Sequence, residues 1–78
     1  MLTRALAKEL APKVRVNAIA PGTITMDGDP PEWEQDFVRR APLRRTGTPE
    51  DIADAVMYLI GAEFVTGHVL VADAGRTL

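Results

Sequence analysis

The chain has 78 residues, 46% of them hydrophobic, with six glycines, six prolines and no cysteine. That length admits one domain at most, and a chain this small withdraws only about 60% of its unfolded surface from water; its apolar content nevertheless argues against disorder. A net charge of −2 offers no basic field for nucleic acid or an anionic membrane, and a single histidine without cysteine cannot assemble a zinc site.

Leu2, Leu6 and Leu10 recur at helical spacing, with Arg4 and Lys8 on another side, so residues 1–10 are predicted to form an amphipathic helix stopped by Pro12. Val14 to Ala20 follows as a strand buried on both faces, built from β-branched Val14, Val16 and Ile19 with small Ala18 and Ala20. Arg15 falls near the strand entrance, and Asn17, if buried, requires hydrogen-bond partners. The strand runs into a Pro21-Gly22 turn and an uncharged Thr23-Ile24-Thr25 segment. Ligands of open α/β sheets sit beyond the carboxyl ends of the strands, which makes this turn the leading candidate site.

Residues 25–31, TMDGDPP, combine turn formers with acids and predict a mobile loop. Pro31 then opens a short helix, EWEQDFVRR, that aligns Trp33 with Phe37 and carries its acids and arginines at the ends that suit the helix dipole. It is expected to act as a lid and to end at Pro42. Thr48-Pro49-Glu50-Asp51 starts the next helix with an N-cap, a proline at the first position and acids in the first turn. Its stripe is Ile52, Ala55, Val56, Leu59 and Ile60, each large member contributing about 1.5–3 kcal/mol when buried. Gly61 is placed to end it. After a Thr66-Gly67 turn, Val69 to Ala72 predicts a second strand, closed by Asp73-Ala74-Gly75.

Strand, helical crossover and strand imply a right-handed parallel βαβ unit. Two parallel strands do not cover themselves, since such sheets carry helices on both faces and further strands beside them. The edges are therefore expected to need a partner. No apolar run approaches the roughly 18 residues of a membrane span, and the opening MLTRALAKELAP is too charged for a secretory signal. A cytoplasmic location is expected.

Four blocks, LTRALAKELAP, VRVNAIAPGTI, APLRRTGTPEDIADAVMYLI and FVTGHVLVADAG, stand in the order used by the carboxyl-terminal part of short-chain dehydrogenases/reductases. The chain resembles that family over essentially its whole length. The resemblance implies an α/β fold, the carboxyl-terminal segment of a doubly wound parallel Rossmann sheet, with the last two strands, a lid helix and a crossover helix. It implies hydride transfer between NADP, or NAD, and a small-molecule substrate, with Pro21, Gly22, Thr23, Ile24 and Thr25 meeting the nicotinamide. The family pattern P-G-x-I-x-T has Met26 in place of its final threonine here. DGDPPEWEQ, APL and ADAGRTL look most similar to pteridine-reductase-like members, in which Met26, Trp33 and Phe37 would face a planar substrate.

The resemblance also places the proton-donating tyrosine and its lysine upstream of Met1, on a complementary amino-terminal segment of the same domain, and implies a homotetramer of the complete protein. The alternatives are a reductase of 3-oxoacyl thioesters or general ketones, and a non-catalytic oligomerisation fragment. Trp33 and Phe37 read either as a stacking pair or, preferably, as a staple of the lid against the body. Tyr58 lacks a lysine four positions on, His68 opens a strand beside a turn, and the acids read as first-turn and surface charges. Arg39, Arg40, Arg44 and Arg45 read as a solvated helix end and loop in preference to a phosphate site.

Overall fold

The computed structural model describes all 78 residues, Met1–Leu78. The elements run α1 (Leu2–Leu10), β1 (Ala18–Pro21), α2 (Pro31–Arg40), α3 (Pro49–Gly61) and β2 (Val69–Ala72). The strands pair in parallel with Ala18 opposite Val69 and Pro21 opposite Ala72, as a connection through two helices demands. Helix α3 packs across both strands.

The first strand is shorter than its apolar run predicts. Gly67 turns the opposite segment with φ of 74°, so the regular ladder cannot extend back to Val14. One backbone bond remains, from the Gly67 N–H to the Val16 carbonyl at 2.8 Å, and side chains supply the rest of the pairing there. The Val16 N–H donates to Thr66 Oγ1 at 3.1 Å, and the Asn17 amide donates to the Val65 carbonyl while its oxygen accepts from the His68 N–H. Asn17 thus finds the partners its place in the strand requires.

Arg15 has a more definite role than marking the strand entrance. Its guanidinium reaches the carbonyls of Leu59 at 2.8 Å, Ile60 at 2.7 Å and Ala62 at 3.0 Å, the orphan acceptors at the end of α3. That helix has no basic residue in its own last turn, so a cation from the β1 approach complements its dipole. Helix α3 does end at Gly61, yet without a left-handed glycine, because Gly61 is absent from the positive-φ residues. Thr48 and Asp51 form a capping box at the other end.

Burial departs from the sequence expectation. Six residues are buried, and among the apolar ones only Ala7, Phe37, Ala41 and Leu59 reach that state. In α1 the leucine stripe faces away from the body, and Ala7 is the residue that packs, against the Gly67 turn. Of the α3 stripe only Leu59 is buried; Ile52 and Ala55 are half-covered, and Val56 and Ile60 face an open groove of 860 Å³ along β1. The hydrogen bonds of Ala18 and Gly22 point to β2, so the peptide groups of Ile19 point to the opposite, unpaired edge. A two-stranded sheet has one helix to cover it here, and these apolar surfaces remain without cover.

Candidate functional site

The site is built where β1 ends. Gly22 continues the ladder, donating its N–H to the Ala72 carbonyl at 2.9 Å. A Cβ on Gly22 would lie 2.8 Å from Asp73 Cα and 3.1 Å from Phe37 Cζ. Glycine is therefore required by the contact between the two strand ends and helix α2.

Beyond Gly22 the chain is pinned by a second parallel bridge, Ile24 opposite Gly47. The Gly47 N–H donates to the Thr23 carbonyl and the Gly47 carbonyl accepts from the Thr25 N–H, both at 2.9 Å. In a parallel ladder the residue between two such bonds directs its own N–H and C=O to the other side. Ile24 accordingly presents a main-chain donor and acceptor that no group of this chain occupies. The hydroxyls of Thr25 and Thr46 are hydrogen-bonded to each other, whereas the Thr23 hydroxyl has no partner within the chain and Thr23 is exposed.

Arg45 and Asp51 buttress this loop. The guanidinium meets both carboxylate oxygens at 2.9 Å and also donates to the Thr46 carbonyl. Hydrogen bonding from Arg45, followed by the Thr48 N–H, lowers the Asp51 pKa from 3.8 to about 2, and the same pairing raises that of Arg45. Asp73 is buried at the end of β2, where its carboxylate accepts from the N–H groups of Gly75 and Thr77 at 2.9 and 3.1 Å. The Thr77 side chain, with these backbone donors, holds its carboxyl below the usual carboxylate range.

The two aromatic residues of α2 separate. Phe37 is buried against Gly22 and staples α2 to the body, while Trp33 is 63% exposed. Both still line a cleft of 560 Å³ beside Pro21, Gly22 and Thr23. Met26 is exposed in a turn closed by its N–H on Asp29 Oδ2, and it is not among the residues lining that cleft. Of the four arginines weighed as a phosphate site, Arg39 and Arg40 pair with Asp36 and Arg45 with Asp51. Tyr58 is exposed on α3. Sequence reasoning missed Thr46-Gly47, Asp73 and Arg76. The Gly47 signal was a glycine between two threonines ahead of a helix cap, which reads locally as a turn.

A parallel strand pair with a cleft at its carboxyl end has the arrangement of one edge of an open α/β sheet, where ligands of such sheets sit. The family model described as enoyl-(acyl carrier protein) reductase matches residues 1–77. A protein named as ketoacyl reductase 2 of granaticin polyketide synthase in Streptomyces violaceoruber is 48% identical over 81 residues, covering 97% of this chain and 32% of that relative. A short-chain dehydrogenase from Leptospira borgpetersenii with bound NAD+ superposes with a TM-score of 0.88 at 36% identity, over 99% of this chain and 31% of that one. A small-chain dehydrogenase in complex with NADPH gives 0.85 at 35% identity, over 96% and 37%. The chain belongs to the short-chain dehydrogenase/reductase family, and its α/β architecture is that of a segment of the Rossmann sheet. It spans about a third of the length of the relatives it matches.

Proposed function

We propose that this chain forms the nicotinamide-side loop and substrate lid of an NAD(P)-dependent reductase, completed by a complementary amino-terminal segment of the same domain. The observation that carries the reading is Ile24, whose free N–H and C=O are aimed away from Gly47. A carboxamide offers an NH2 to donate and a C=O to accept, and this pair can meet both ends of it. Pro21, Gly22 and Thr23, the residues just before Ile24, line the cleft beside α2, and the Thr23 hydroxyl adds a polar contact; Thr25, tied to Thr46, acts on the loop rather than on the cofactor.

A bound nicotinamide supplies or accepts the hydride; the groups described here bind it, fix its ring face and exclude water beneath the lid. The proton at the substrate oxygen comes from the complementary segment. NADP is preferred with NAD as the alternative, in keeping with one neighbour named for each. A carbonyl substrate is favoured, and the ketoacyl reductase name of a relative supports a 3-oxoacyl thioester. The exposed Trp33 ring in the cleft favours a second reading, the pteridine-like heterocycle that the lid sequence suggests. The uncovered apolar residues Met57 and Tyr58 of α3, together with Phe64, support a homotetramer of the complete protein, and the absence of cysteine is compatible with a cytoplasmic location.

NADPH fluorescence enhancement on the chain combined with its complementary segment tests the proposal. Ile24→Pro removes the donor, and binding should weaken at least about tenfold. Unaltered affinity in that variant, or no binding at all by the folded complex, would overturn the assignment. A panel of 3-oxoacyl thioesters against dihydropteridines then separates the substrate readings.

A further inference from the structure

The cleft between α2 and the carboxyl end of the sheet has a wall that the cofactor reading does not use, formed by Arg76 and Thr77. Arg76 is half-buried, and its guanidinium makes no hydrogen bond or ion pair within the chain. The other charge lining the cleft is Asp36, already engaged by Arg39 at 3.2 Å and Arg40 at 3.3 Å. The local balance is therefore positive.

Arg76 is held in place by its backbone. Its N–H donates to the Asp73 carbonyl at 3.0 Å, and the chain reverses through Ala74 and Gly75 with φ of 57° and 83°. A Cβ on Gly75 would lie 2.9 Å from Pro42 Cγ, and the Leu43 N–H donates to the Ala74 carbonyl at 3.0 Å. The turn that carries Arg76 is thus wedged onto the segment following the lid helix. The same cleft is lined by the exposed ring of Trp33. A planar cation with five donors and a flat apolar surface in one cleft suit a ligand with an oxyanion next to an apolar or aromatic portion.

We infer that this cleft selects substrates bearing a carboxylate or phosphate beside a flat or apolar portion, with Arg76 the specificity-determining cation and Trp33 the surface under the apolar part. The inference rests on the reading of α2 as a substrate lid and deepens it.

Trp33 is the single tryptophan of the chain, so its indole N–H resonance in the 15N-labelled full chain reports on the cleft without cofactor or turnover. Benzoate, phenyl phosphate and neutral benzamide are the probes. Both anions should shift the resonance with a Kd about tenfold below that of benzamide, and the tighter of the two identifies the anion source. Arg76→Gln should abolish the preference, Arg76→Lys should retain part of it, and Arg4→Gln on α1 should leave it intact. Equal response to anions and benzamide, or a preference that survives Arg76→Gln, overturns the anion subsite while leaving the lid reading in place. No response to any probe overturns both. NADPH binding is measured separately, so its failure would count against the cofactor assignment alone.

Discussion

Replacing Gly22 by alanine should be far more costly than the same change at Gly47, although the new methyl meets an atom at 2.8 Å in both cases. At Gly22 that atom is Asp73 Cα, with Asp73 Cβ at 2.9 Å and Phe37 Cζ at 3.1 Å, all well inside the roughly 3.5–4.0 Å optimum for carbon contacts. Asp73 cannot retreat, because its carboxylate is tied to Gly75 and Thr77 and the neighbouring Ala72 carbonyl holds Gly22 itself. Overpacking against a fixed backbone costs about 1–3 kcal/mol. At Gly47 the obstacle is Ile24 Cδ1, the mobile tip of a side chain, and the next atoms lie 3.7 Å away. Turning that tip costs about 0.5–1.5 kcal/mol; the gain of about 0.4–1 kcal/mol from restricting the unfolded chain applies to both positions alike and leaves the difference unchanged. Neither glycine has a positive φ, so backbone strain does not distinguish them. Urea unfolding midpoints of the two variants check the difference. Equal losses at the two positions, or a Gly22→Ala loss below about 0.5 kcal/mol, would refute the claim that the immovable strand end decides the outcome.

Arg15→Met should destabilise by about 1–2 kcal/mol by leaving the carbonyls of Leu59, Ile60 and Ala62 without their cation, seen as faster amide exchange in the last turn of α3. Thr48→Ala should cost about 0.5–2 kcal/mol through the lost cap, measured by the same urea titration. Asp51 and Asp73 both have folded pKa values below their unfolded ones, so their contribution is complete above pH 3.8 and is lost as pH falls, for Asp51 down through about 2. Acid titration followed by circular dichroism should therefore show unfolding in that range, and Asp51→Asn should flatten its pH dependence; a slope unchanged in that variant would contradict the Arg45–Asp51 assignment.

The local alphabet of the chain was legible. Pro31 opening α2, the Thr48-Pro49 start of α3 and the run Val69–Ala72 of β2 all appear where the sequence predicts them, because caps, prolines and short apolar runs act within a few residues of themselves. The Pro21-Gly22 turn that the sequence suggests is not formed: Pro21 is the last residue of β1 and Gly22 continues its ladder onto Ala72.

What the residues alone determined is thus the order of the elements, their parallel pairing and the family to which that order belongs. Only the tertiary structure decided which faces are covered, that Arg15 ends α3, that Gly47 pins the loop and frees Ile24, and that Trp33 and Phe37 part company. Each of these depends on groups far apart in the chain, Arg15 with Leu59 or Thr23 with Gly47, and periodicity reports a preference for burial without naming the surface that provides it. The leucines of α1 show the consequence: their spacing marks an apolar face, yet none of the three is buried within this chain.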